Sequence, residues 1–371
     1  MITHLTWALA ALLTTNGMPV GGDYGQPRLL VPAPDDPARA HLSWPKIVAT
    51  PEGTLVLAYS AGRGHNIGGS GPAVSVSTDG GTRFSAPQLL AYFPDDDDRY
   101  RDCGNLALGV AADGAVLLLA MAYSGERQNT ILGWRSTDQG QSWEPVDTSA
   151  LAENTTGSVY GHILQVPEMG LVVFGHYRRP SNPAAGIWLS VSEDQGRTWS
   201  PPRVVTERAY FEPAVTFTQG RFVGKLRLPN DRDTRRYDEV YSDDLGETWY
   251  IRPSQLAIPP ELPGRQPSPF ITVSPAEPAK LYAIQAIRGD FEQTRGRAEL
   301  WTADAQQLEW TRKGRLAAIP AHAHNLSDWS YPWMTPLDDG TWMLVFYAGA
   351  NRGSSSIYGM RVDPTGSHKK P

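Results

Sequence analysis

The chain has 371 residues, a formal net charge of -6 and a pI near 5.8, so it lacks the basic surface that a nucleic-acid partner requires. A single cysteine, Cys103, excludes an internal disulfide framework and a thiolate metal cluster, leaving a hydrophobic core to hold the fold. The length permits two ordinary domains or one large all-β unit.

The first 22 residues contain a short apolar stretch, Leu5 to Leu13, followed by small and polar residues. That stretch is too short to span a bilayer and suits either the core of a signal peptide or a buried or amphipathic starting helix. On the first reading the protein is secreted or periplasmic, although no Lys or Arg precedes the apolar core. No other segment is long and apolar enough to enter a membrane.

From residue 47 onward, short apolar stretches are joined in pairs by glycine turns. They occupy 47–59, 106–123, 163–177, 214–227, 271–285 and 333–347, and each reads as a β-hairpin. A second pattern, S-x-D-x-G-x-x-[W/F], keeps step with them. Its copies carry Asp79, Asp138, Asp194 and Asp244, which are 59, 56 and 50 residues apart, and a worn copy follows at Thr302, Asp304 and Trp310. In this motif the Ser and Asp are suited to bond the turn's own backbone, Gly supplies positive φ, and the aromatic packs beneath. Calcium would need more oxygen ligands than each copy offers.

Six hairpins at a period near fifty predict an all-β fold, a six-bladed β-propeller of four-stranded antiparallel blades, as one domain over residues 25–365. The sixth unit has no motif copy after Met360, so an N-terminal strand near Pro27 to Val31 is expected to complete it. The first strand of each blade should line the axis, which brings the residues that open each hairpin to one pocket.

The motifs are Asp boxes, and with the six hairpins they make Leu42 to Val362 resemble the sialidase (neuraminidase) superfamily. The resemblance implies an exo-acting, retaining glycoside hydrolase for a terminal acidic sugar. Its carboxylate would repel an anionic nucleophile, so such enzymes use a tyrosine activated by a glutamate, with arginines clamping the substrate. By this likeness Tyr331 matches the nucleophile and Glu212 its base, while Arg63, Arg227 and a third arginine match the clamp. Arg288, Arg295 and Arg297 are available for that third position, and Arg297 is the preferred choice.

The first unit departs from the family pattern. Ser43-Trp44-Pro45 stands where the first clamp arginine is expected, and the loop GHNIGGSGP holds no carboxylate where the acid/base aspartate belongs. The acid/base therefore stays open among His65, the loop's only titratable group, Asp102 and a group not yet identified. Trp44 and His162 are further candidates for contact with substrate, and Lys46 for a positive charge. His322 and His324 have a spacing open to metal ligation, but the reading favours a pocket rim; no metal and no cofactor are expected. The alternatives are a glycosidase or lyase acting on another uronate-like sugar through a histidine, and a non-catalytic glycan-binding propeller. A monomer with a glycan or glycoconjugate as its partner fits each of these readings.

Overall fold

The computed structural model describes residues 19–96, 100–123, 129–151, 157–179, 182–230, 234–289, 296–319 and 328–365. The leader-like segment before residue 19, Arg295, His322 and His324 lie outside them. Among the described residues, one 3-10 turn, Ser149–Leu151, is the only helical element, and no helix is long and apolar enough to cross a membrane.

The strands form six successive antiparallel units. The first comprises His41–Ala49, Leu55–Gly62, Ser70–Ser77 and Gln88–Leu89, and the second Asp102–Val110, Val116–Tyr123, Asn129–Ser136 and Glu144–Pro145. The third comprises Ser158–Val166, Gly170–Arg179, Asn182–Ser192 and Arg203–Thr206, and the fourth Phe211–Thr218, Arg221–Arg227, Arg236–Ser242 and Tyr250–Ala257. Phe270–Ser274, Glu277–Ile287, Gly296–Asp304 and Thr311–Ile319 make the fifth, to which Val20–Gly21 adds an outer strand. The sixth has Asp328–Pro336, Trp342–Gly349 and Ser355–Val362, and Arg28–Val31 supplies its fourth strand, as expected. The first strand of each unit touches that of the next, and the sixth touches the first.

Burial follows strand order within a unit. The second strands Leu55–Gly62 and Trp342–Gly349 are buried at every position, which accounts for their continuous apolar sequences. By contrast, the fourth strand Tyr250–Ala257 is mostly exposed.

The Asp boxes are built as their chemistry requires. In all four, the Ser hydroxyl donates to the Asp carboxylate at 2.8 Å and accepts from the Gly amide at 2.8–2.9 Å. The same carboxylate oxygen accepts the amide of the residue four positions on. The boxes also dock neighbouring units. Gln139 bonds Thr54 in the preceding hairpin turn, Gln195 accepts from the Ala112 amide at 3.0 Å, and Arg361 of the sixth unit donates to Gly80 of the first.

Candidate active site

Five of the six first strands break register near their start with a bulge. The inserted pairs are Trp44-Pro45, Gly104-Asn105, Gly161-His162, Glu212-Pro213 and Tyr331-Pro332. A bulge re-aims a side chain that regular alternation would point elsewhere. In three of these bulges a non-glycine residue precedes proline with positive φ: Trp44 at 58°, Glu212 at 48° and Tyr331 at 55°. Such backbone costs roughly 1–3 kcal/mol per residue and persists where the surroundings enforce it. All three strained residues line one cavity of about 380 Å³, with His65, His176 and Arg227 among its other walls.

Glu212 stands at the centre of this cavity and is buried. One carboxylate oxygen accepts the Tyr331 hydroxyl, and the other accepts Arg227 Nη1 at 2.9 Å. Burial alone would raise the Glu212 pKa, but the Arg227 charge, the Tyr331 hydroxyl and His176 bring it below its ordinary value. Glu212 is thus a carboxylate at neutral pH. Burial and the Glu212 charge push the Tyr331 phenol well upward, so it rests protonated with its proton aimed at a base. The Tyr331 amide is held by Ser268 Oγ at 2.9 Å, and the Glu212 amide donates to His176 Nδ1 at 3.3 Å.

A second constellation adjoins the first. His65 Nδ1 lies 2.6 Å from Asp328 Oδ2, while the other Asp328 oxygen accepts Tyr347 Oη at 2.7 Å and Arg288 Nη2 at 3.1 Å. His41 Nε2 stands 3.6 Å from the same carboxylate, and its Nδ1 lies 2.9 Å from the Gly353 carbonyl oxygen. Desolvation opposes the charge on Asp328, yet the two imidazoles and Arg288 hold its pKa far below the carboxylate range. An anionic Asp328 fixes His65 with its proton on Nδ1 and leaves Nε2 without a hydrogen bond among the described residues. Trp44 packs edge-on to His65 at 5.3 Å between ring centroids and lies 6.4 Å from Tyr331, bridging the two constellations. His41, His65 and Asp328 also have the donor types of a metal site, but both oxygens of the carboxylate are already engaged.

The candidates read from sequence divide accordingly. Glu212, Tyr331, Arg227, His65 and Trp44 meet at the cavity. Arg63, instead of entering it, pairs with Asp95 at 2.5 Å and donates to the Ile67 and Gly68 carbonyls. Asp102 is also turned to the 63–70 loop, where it accepts from Ser70 and the Gly68 amide, so both residues brace the segment that carries His65. Arg297 pairs with Glu299 at 3.0 Å, whereas Arg288 reaches the Asp328 cluster. His162 does not line the cavity; its ring is 4.6 Å from that of Trp333, and burial lowers its pKa to about 4.

Asp328, His41, His176 and Asn230 were missed in sequence. A signal for two of them is positional, because His41 and Asp328 stand three residues ahead of the bulged Trp44 and Tyr331. His176 ends its apolar hairpin opposite Ser158, across the first strand of its unit.

An all-β chain with Asp-box turns and a polar pocket at its bulged first strands defines a BNR-type protein. Residues 53–344 match the model of the BNR repeat-like domain, and the chain belongs to that family, within the sialidase/BNR superfamily. A search of curated proteins gave no significant match. Among solved structures, a protein of unknown function from Dyadobacter fermentans is 17% identical with a TM-score of 0.69, covering 92% of this chain and 98% of its own. A leech intramolecular trans-sialidase complexed with 2,7-anhydro-Neu5Ac is 14% identical with a TM-score of 0.69, over 93% of this chain and 72% of that one. The NanB sialidase of Streptococcus pneumoniae is 12% identical with a TM-score of 0.66, over 91% and 70%. At these identities the likeness is one of fold.

Proposed function

We propose that this protein is a sialidase-like exo-glycoside hydrolase that releases a terminal acidic sugar, sialic acid or a close analogue, with retention at the anomeric carbon. In this reading the six units are the blades of a single propeller domain, and the cavity at their first strands is the active site. The observation that carries it is the buried Tyr331 hydroxyl bonded to Glu212, whose second oxygen is held by Arg227. Such a pair is otherwise hard to explain, since it combines a costly desolvated carboxylate with two strained backbone positions.

In the first step the Tyr331 oxygen attacks the anomeric carbon while its proton passes to Glu212, and the bond to the leaving oxygen breaks. His65 enters this step as the imidazolium, gives its Nε2 proton to the leaving oxygen and is left neutral with its Nδ1 proton on Asp328, which fixes the ring. Water then attacks the anomeric carbon from the face the leaving group vacated, and the bond to Tyr331 breaks. His65 takes the water's proton, and Glu212 returns its own to Tyr331. Arg227, 19% exposed at its side chain, offers a cation to the substrate carboxylate. Arg288 is more enclosed and already bound to Asp328 and to the Trp329 carbonyl.

The His65–Asp328 pair favours a second reading, a lyase in which His65 removes a proton beside a uronate carboxylate. A panel of fluorogenic acidic glycosides, a sialoside first, separates the two. Release of the intact sugar by the wild type, reduced at least about a thousandfold in Tyr331→Phe, is the expected outcome. An unsaturated uronate product would establish the lyase, and inertness with retained glycan binding would establish a lectin-like role.

A further inference from the structure

Lys46 lies in the first strand of the first unit, immediately after the Trp44-Pro45 bulge, and is fully buried. Its one hydrogen bond runs to the Pro45 carbonyl at 3.4 Å, and among the described residues no carboxylate forms an ion pair with it. Its ammonium instead faces three rings, 4.5 Å from the centroid of Trp333, 4.6 Å from Tyr160 and 5.0 Å from Tyr331. The other fully buried lysine, Lys225, is built differently. It pairs with Glu239, bonds Ser254 Oγ at 2.9 Å and lies over Trp310, which together satisfy its charge. A buried ammonium without an anion is expensive, so its retention beneath Tyr331 calls for a role.

We propose that Lys46 is a positioning residue that draws negative charge from Glu212 onto the Tyr331 ring as the nucleophile forms, an inference that rests on the reading of Tyr331 as nucleophile. Proton transfer from Tyr331 to Glu212 neutralises the carboxylate and leaves the anion on the phenol, which then forms its bond to the anomeric carbon. Arg227 touches the carboxylate and favours charge there. Lys46 touches the ring and favours charge there, so its interaction strengthens along the step and counts toward the rate rather than toward ground-state binding.

The groups facing Lys46 are Tyr160 and His162 from the third unit, Glu212 from the fourth, and Tyr331 and Trp333 from the sixth. His162 is neutral at pH 7, because burial lowers it to about 4. Burial likewise lowers Lys46, against the opposing pull of Glu212, to about 7. Its charge is present below that pH and lost above it.

The test compares wild type, Lys46→Met and Lys46→Arg across pH on the best glycoside of the panel. In Lys46→Met we expect kcat to fall roughly tenfold to a hundredfold with KM little changed, and the alkaline limb to lose the component that Lys46 contributes. Lys46→Arg, permanently charged, is expected to keep more activity and to carry it to higher pH. An unchanged kcat in Lys46→Met, or an alkaline limb with the same midpoint in wild type and Lys46→Met, overturns the proposal. Should either variant fail to fold, NMR titration of the labelled lysine side chain in the wild type and in Glu212→Gln replaces it. A Lys46 midpoint near 7 that drops in Glu212→Gln supports the coupling, and a midpoint that ignores Glu212 refutes it. That titration needs no substrate, so a failure of the glycosidase reading is distinguishable from a failure of the role given to Lys46.

Discussion

Glu212 and Asp328 are two buried carboxylates with opposite neighbours. Glu212 holds the proton donor Tyr331 and the cation Arg227, while Asp328 holds His65, His41, Tyr347 and Arg288. In the proposed mechanism the first arrangement serves as a base that accepts a proton from a phenol, and the second as an anchor that keeps its own charge and orients an imidazole. Glu212→Gln removes the proton acceptor and should lower kcat about 10²-fold to 10⁴-fold while leaving a folded protein, measured by steady-state kinetics beside circular dichroism. Asp328→Asn takes the charge away from Arg288 and His65 together. It should therefore cost about 3–5 kcal/mol of stability in denaturant titration.

Among the elements, the Asp-box turns were the most legible feature of the sequence, because the Ser, Asp and Gly bonds that close each turn are local. Ser192, Asp194 and the Gly196 amide satisfy one another locally, so the letters alone convey the geometry. Their docking on the preceding unit was not legible. A Cβ added at Gly196 would come within 2.4 Å of Leu117 in the second unit, and the residue sits at φ 83°. Gly196→Ala should therefore destabilise by about 2–4 kcal/mol in thermal unfolding with kcat intact, since it strains both backbone and interface far from the cavity. The Glu212 and Tyr331 candidates came from the family resemblance and the blade register, and the structure brings the two side chains into a hydrogen bond. The Asp328 cluster was not legible, because His41, His65, Arg288 and Asp328 come from three different units and share no local pattern. Arg297 was favoured over Arg288 by its nearness to the fifth Asp-box remnant, yet the strand carries it toward Glu299.

For the molecule as a whole, the buried bases set the pH range of stability. His162 is lowered to about 4 from an ordinary value near 6.5, so between those pH values the unfolded chain binds a proton that the native state refuses. Stability must then rise with pH across that window and be lost as pH falls, by roughly 3 kcal/mol for this group alone. Lys46 at about 7 and Lys225 at about 8 act in the same sense toward pH 10, where both unfolded side chains deprotonate. Calorimetric Tm values should climb from pH 4 to neutrality and rise further toward pH 9, with Lys46→Met removing part of the second rise. The bulged first strands of the first, fourth and sixth units each bring a side chain, Trp44, Glu212 and Tyr331, to one cavity. The most direct test of that site is to trap the intermediate with the glycosyl fluoride of the acidic sugar that is turned over, carrying a second fluorine on the carbon next to the anomeric carbon, followed by peptide mass spectrometry. The expected result is a glycosyl adduct on the peptide that carries Tyr331, absent in Tyr331→Phe. An adduct on another residue, or turnover that survives Tyr331→Phe, would contradict it.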